Sequence, residues 1–101
     1  MELVKYSFRL VNSLKLIINN GFKKASIICR DLETKQYLLE IVAKLNMPDL
    51  DVMLYTTYEA KGLEFDAVIV IDTYKQDEKE LLYTACTRAQ HQLIVFKTNS
   101  K

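Results

Sequence analysis

Glycine and proline are nearly missing from this sequence, which has two glycines, Gly21 and Gly62, and one proline, Pro48, in 101 residues. That scarcity excludes collagen-like and low-complexity chains, and it leaves no glycine-rich loop that could wrap a phosphate. Tryptophan is absent. The two cysteines, Cys29 and Cys86, lack C-x-x-C spacing, and His91 is the single histidine, so a zinc site is not expected. Each cysteine stands in an apolar run and reads as a buried free thiol of a reducing cytosol. Neither sign of charge dominates: 14 basic against 13 acidic residues give a net charge of +1. Nucleic-acid binders usually carry a basic excess, so any such contact must come from a local patch or from other sequence. The longest purely apolar run, Ala67–Ile71, is far short of a membrane span. Glu2, Lys5 and Arg9 interrupt the amino terminus where a signal peptide needs an uncharged apolar core. The expectation is a cytoplasmic protein with no membrane partner.

What is present is enough for one folded domain over residues 1–101. Half of the residues are hydrophobic and 27% are charged, the balance of a chain that can bury a core. Leu10, Leu14, Ile17 and Ile18 recur at helical spacing before Asn19-Asn20-Gly21, which predicts an amphipathic helix over about Ser7–Asn20. Ala25–Cys29 reads as a buried strand. Asp31 or Thr34 can cap a following helix with Leu38, Ile41, Val42 and Leu45 on one face, stopped by Asn46-Met47-Pro48. Val52–Tyr55 is a second strand, followed by a loop containing Lys61-Gly62, and Ala67–Ile71 is a third. Asp77 with Glu80 resembles a capping box opening a helix over Glu78–Ala89, and His91–Lys97 closes as a last strand. Apolar strands alternating with amphipathic helices define an α/β layer with a mostly parallel sheet. Ligands of such sheets sit beyond the carboxyl ends of the strands, where Arg30-Asp31, Thr56–Glu64 and Asp72-Thr73 fall. Arg88 stands at a helix end instead.

Two stretches carry more than packing. Thr57–Asp66, with the run Ala60-Lys61-Gly62-Leu63-Glu64-Phe65, resembles motif V of UvrD/Rep-like superfamily 1 helicases. Leu82–Ala89, with Leu82-Tyr83, Ala85 and Thr87-Arg88-Ala89, resembles motif VI of the same family. Ile27–Arg30 is similar to motif IV, a strand ending in arginine. Tyr58, where UvrD has histidine, and the run from Cys86 to His91 lean toward the helicase IV/HelD-like branch. The resemblance implies the second, 2A-type domain of a RecA-like (P-loop NTPase-type), three-layer helicase motor, without the P-loop half and without the 2B insertion. By that resemblance the chain is a piece of a larger helicase, inactive alone.

The resemblance also implies roles. Arg88 and Arg30 would be catalytic, two arginines meeting the γ-phosphate of ATP when the cleft closes. Glu64 would hold the ribose hydroxyls, and Lys61 and Gly62 would line the nucleotide side of the same loop. Thr57 and Tyr58 would face DNA, single-stranded or duplex, the threonine through its hydroxyl and the tyrosine by stacking. Mg²⁺ would be held by the P-loop 1A domain of the full-length protein, and translocation would run 3′→5′. Ordinary readings stand beside these: Arg88 as a helix-end cation, Arg30 paired with Asp31 or Glu33, Glu64 paired with Lys61, Gly62 as a turn glycine, Lys61 as a solvated lysine, Tyr58 as an interdomain packing residue and Tyr83 as a core or edge packing residue. Two rival functions share the motifs: a HelD-like motor that remodels RNA polymerase, and a non-catalytic partner-binding domain.

Overall fold

In the computed structural model, residues 2–45 and 47–97 are described, with side chains from Phe8 onward. Asn46, expected within a helix stop, and the side chain of Ser7 lie outside the described residues. The elements run α1 (Glu2–Asn19), β1 (Lys24–Cys29), α2 (Leu32–Lys44), β2 (Asp51–Thr56), α3 (Thr57–Ala60), β3 (Phe65–Asp72), a 3-10 turn (Gln76–Glu78), α4 (Lys79–Cys86) and β4 (Ala89–Lys97). All four strands are parallel, in the order β2-β1-β3-β4.

The layers follow from alternation along the inner strands. Ala25, Ile27 and Cys29 of β1 and Ala67, Ile69 and Ile71 of β3 point to one face, where they pack against Leu10, Leu14 and Ile17 of α1 and Leu38 of α2. Ile28, Val68 and Val70 point to the other and meet Ala60 of α3 and Ala85 of α4. The inner strands are therefore apolar on both faces, as helices on both sides require. Each fully buried isoleucine or leucine contributes about 1.5–3 kcal/mol. The small side chains Ala60 and Ala85 let the two short helices sit close to the sheet.

Local chemistry sets the boundaries. Gly21, at φ +93°, ends α1 in the left-handed region, with its N–H donating to the Ile18 carbonyl. Asp31 caps α2 by accepting from the Thr34 N–H at 2.9 Å. Three expectations are corrected. The loop after β2 opens with a helical turn, α3, held by a box in which Thr56 accepts from the Glu59 N–H and Glu59 from the Thr56 N–H. The fourth helix starts at Lys79 behind a 3-10 turn, where Glu78, not Glu80, accepts from the Lys75 N–H. It stops at Cys86, because Ala89 already pairs with Phe65 as strand beside β3. No helix among the described residues is long and apolar enough to cross a membrane.

Candidate functional site

A parallel sheet has two rims, and the sequence-selected residues divide between them. β3 is eight residues long, about 23 Å from first to last Cα at about 3.3 Å per residue. Arg30 follows β1 at the level of Asp72, the carboxyl end of β3. Arg88 sits at the opposite end, its carbonyl accepting from the N–H of Phe65, the first residue of β3. Arg30 follows the carboxyl end of β1 and Arg88 precedes the amino end of β4, so within this domain the two arginines stand on opposite rims of the sheet.

At the amino rim the guanidinium of Arg88 folds back onto backbone oxygens. Its Nε donates to the Thr84 carbonyl at 3.1 Å, Nη1 to the Leu63 carbonyl at 3.3 Å and Nη2 to the Thr87 hydroxyl at 3.2 Å. Thr87 is fixed in turn by donating to the Thr84 carbonyl at 3.0 Å. No carboxylate pairs with Arg88 among the described residues, so its charge is oriented but not neutralised. Three of its five N–H groups are engaged, which leaves two for a ligand.

Glu64 stands beside it at the start of β3. Its carboxylate accepts from Gln90 Nε2 at 2.6 Å rather than pairing with Lys61. An open pocket of about 220 Å³ lies next to it, lined by Lys24, Ser26, Glu64, Phe65, Asp66 and Ala67. Gly62, at φ +81°, turns the chain from α3 toward this rim, and a Cβ there would meet nothing within 4 Å. Its requirement is backbone conformation, not close approach. Lys61 beside it is exposed. The expected cluster Thr56–Glu64 is thus split: α3 and the Gly62 turn carry the chain from one rim to the other. His91 also belongs to the amino rim, exposed and 3.2 Å from Asp66.

The carboxyl rim is bound by polar ties. Thr57, expected to offer its hydroxyl to DNA, is buried; it donates to the Cys29 carbonyl at 3.0 Å and bonds the Tyr74 hydroxyl. That expectation is corrected, since the group is consumed in holding α3 to the end of β1. Tyr58, next along, is 67% exposed and presents its ring to solvent. Tyr83, expected to pack, is 71% exposed on α4. Burial pushes the Tyr74 hydroxyl and the Cys29 thiol each up to about 12, so both are neutral at physiological pH. Among the described residues no cluster of His, Cys, Asp and Glu could hold a metal ion.

Arg30 is neutralised on this rim. Its Nε and Nη2 donate to the two carboxylate oxygens of Glu78 at 2.7 and 3.0 Å, and Nη1 donates to Asp31 at 2.7 Å. The hydrogen bonds from Arg30, then the Lys75 N–H, hold the Glu78 carboxyl down at about 2, against an ordinary 4.5. At Asp31 burial opposes ionisation, but the bonds from Thr34 and Arg30 outweigh it and the pKa is lowered. A depressed carboxyl contributes stability that is complete above its unfolded pKa and lost as pH falls through the folded one. The thermal midpoint should therefore fall between about pH 4.5 and about pH 2. Glu78→Gln should flatten that part of a calorimetric pH series, and an unchanged profile would remove Glu78 from the acid response.

Gln90, Thr84 and Glu78 were given no role by the sequence. Gln90 directly follows the motif VI run, whereas Glu78 lies 48 positions from Arg30 and no local signal joins them.

These elements define a class: a three-layer α/β domain with an all-parallel sheet, of the kind seen in RecA-like helicase C-terminal domains. Residues 51–96 match the family model of the UvrD-like helicase C-terminal domain, a span that holds Glu64 and Arg88 but not Arg30. The whole fold is similar to the C-terminal domain of a possible DNA helicase from Lactobacillus plantarum WCFS1, with a TM-score of 0.75 and 29% identity. That match covers 93% of this chain and 67% of the other.

Proposed function

We propose that this chain is the second RecA-like domain of an ATP-driven DNA helicase, supplying Arg88 and Glu64 to an ATP site completed by a P-loop domain. The observation that carries this reading is the contrast between the two arginines. Arg30 is paired with two carboxylates; Arg88 is held in place by neutral oxygens alone and keeps two N–H groups free for phosphate oxygens. Glu64, on the same rim, is an exposed acceptor of the kind that binds ribose hydroxyls. Lys61 and Gly62 bring the loop to that rim. The triphosphate charge would be met by the arginine, and the magnesium ligands and P-loop lysine would come from the other domain, since this sequence has no G-x-x-x-x-G-K-[ST].

In the reading proposed here, DNA meets the opposite rim. Tyr58 is the exposed ring at the start of α3, and it follows Thr57, whose buried bonds give α3 a rigid seat. Stacking on one base is worth about 1–3 kcal/mol. Tyr58→Ala should therefore weaken single-stranded DNA binding by about fivefold to 150-fold without moving the melting temperature. Fluorescence anisotropy with a labelled oligonucleotide tests it in a protein joining this domain to its P-loop partner. Unchanged affinity would take Tyr58 off the DNA track.

The loop from Tyr58 to Glu64 then joins the two rims by one helical turn and one glycine. Closure of the nucleotide cleft on Glu64 and Arg88 would pull on the same segment that presents Tyr58.

A further inference from the structure

Two strands meet irregularly beside Glu64. Phe65 pairs with Ala89 and Ala67 with Gln92, so Gln90 and His91 together stand opposite the single residue Asp66. That two-against-one count is a β-bulge, uncommon in parallel pairs, and bulges re-aim side chains. Successive residues of a regular strand point to opposite faces. Here both residues of the bulge reach carboxylates at the start of β3. Gln90 Nε2 donates to Glu64 Oε1 at 2.6 Å, and His91 Nδ1 lies 3.2 Å from Asp66 Oδ1. The same stretch is tied twice more, since Arg88 Nη1 donates to the Leu63 carbonyl and the Phe65 N–H to the Arg88 carbonyl. Each residue from Leu63 to Asp66 is thus fastened to the stretch between Arg88 and His91.

Glu64 is held from one flank only. In the sheet order β2-β1-β3-β4, Gln90 reaches it from β4, whereas Lys24 and Ser26 of β1 line the pocket of about 220 Å³ on the other flank. The second carboxylate oxygen, Oε2, accepts no hydrogen bond among the described residues. A carboxylate fixed by a neighbour presents that oxygen in one direction, so less side-chain freedom is lost when a ligand binds. An amide achieves this without neutralising the charge, which a lysine or arginine at position 90 would do by forming an ion pair. The full negative charge matters, because hydrogen bonds from hydroxyls to a carboxylate are shorter and stronger than neutral ones. We propose that Gln90 is a positioning residue, delivered by the bulge, that fixes one oxygen of Glu64 and leaves the other to accept from ribose hydroxyls, so that the site distinguishes ribose from deoxyribose. The ribose part rests on the function proposed above; the tie of Gln90 to Glu64 does not.

Steady-state hydrolysis of ATP and of 2′,3′-dideoxy-ATP, compared in a protein joining this domain to its P-loop partner, tests this. Gln90→Ala should raise KM for ATP by about two- to tenfold and leave KM for the dideoxy nucleotide unmoved. Gln90→Glu, equal in size but an acceptor facing a carboxylate, should raise it at least as much. Gln90 is exposed, so both variants should fold. Unchanged KM for ATP in both variants would overturn the proposal, as would equal losses on the two nucleotides, the mark of a general structural defect. NMR of the 101-residue chain without nucleotide reads the tie alone. Glu64→Ala should shift the Gln90 side-chain amide hydrogens, and unmoved resonances would overturn the tie. A wild type with equal KM for the two nucleotides would overturn the ribose role of Glu64 and the discrimination with it, while the amide shift would leave the tie standing.

Discussion

Arg88→Ala is expected to lower ATP turnover by about three to five decades, with nucleotide binding nearly intact, in a protein joining this domain to its P-loop partner. An arginine that reaches the transferring phosphoryl group acts on charge that develops only in the transition state, so its loss appears in turnover and little in ground-state affinity. The local structure favours a clean substitution. Arg88 ends a helix, and its bonds go to the carbonyls of Thr84 and Leu63 and to the hydroxyl of Thr87, so alanine leaves no buried carboxylate unpaired. Arg88→Lys should recover little, because an ammonium lacks the planar fork. Single-turnover hydrolysis and equilibrium binding of labelled ATP separate the two quantities. Wild-type turnover in the alanine variant would sink the assignment.

The second large effect falls on stability. Ile69 is fully buried at the middle of β3, facing the α1–α2 layer. Ile69→Ala removes three carbons from a close-packed site and should cost about 2–5 kcal/mol, against about 0.5–1.5 kcal/mol for Ile69→Val. Domains of this size hold about 5–15 kcal/mol in total, so the alanine variant should lose a large share of its stability. Urea unfolding followed by circular dichroism measures both variants on one scale. Equal midpoints for alanine and valine would mean that this face of the sheet is not close-packed.

How much of this was readable beforehand depended on how local each signal was. The strand at Ala67–Ile71 was plain because it is apolar on both faces, and only its ends, Phe65-Asp66 and Asp72, were missed. The helix of Leu10, Leu14 and Ile17 showed its period directly, and Asp31 announced its cap. α3 was missed because four residues are too short to display a period; the Thr56-x-x-Glu59 box was the available sign. The start of β4 was read as helix because Ala89 continues the alanine spacing of α4, while its pairing with Phe65 depends on tertiary structure.

The site divides in the same way. Glu64 and Arg88 sit in contiguous motifs, and the fold sets them on one rim. Thr57 was misread because a hydroxyl in a polar stretch suggests exposure, whereas the Cys29 carbonyl and Tyr74 made it cheap to bury. The pairing of Arg30 with Glu78 was not legible, since a strand ending in arginine says nothing of a glutamate that reaches it only after β2, α3 and β3 have been laid down.

The claim that this chain is one wall of an ATP site is tested most directly by DNA-stimulated ATP hydrolysis, measured on the 101-residue chain alone and again on a protein joining it to a P-loop domain. The account predicts no turnover from the chain alone and Arg88-dependent turnover from the joined protein. Turnover by the isolated chain, abolished by neither Arg88→Ala nor Glu64→Gln, would contradict it.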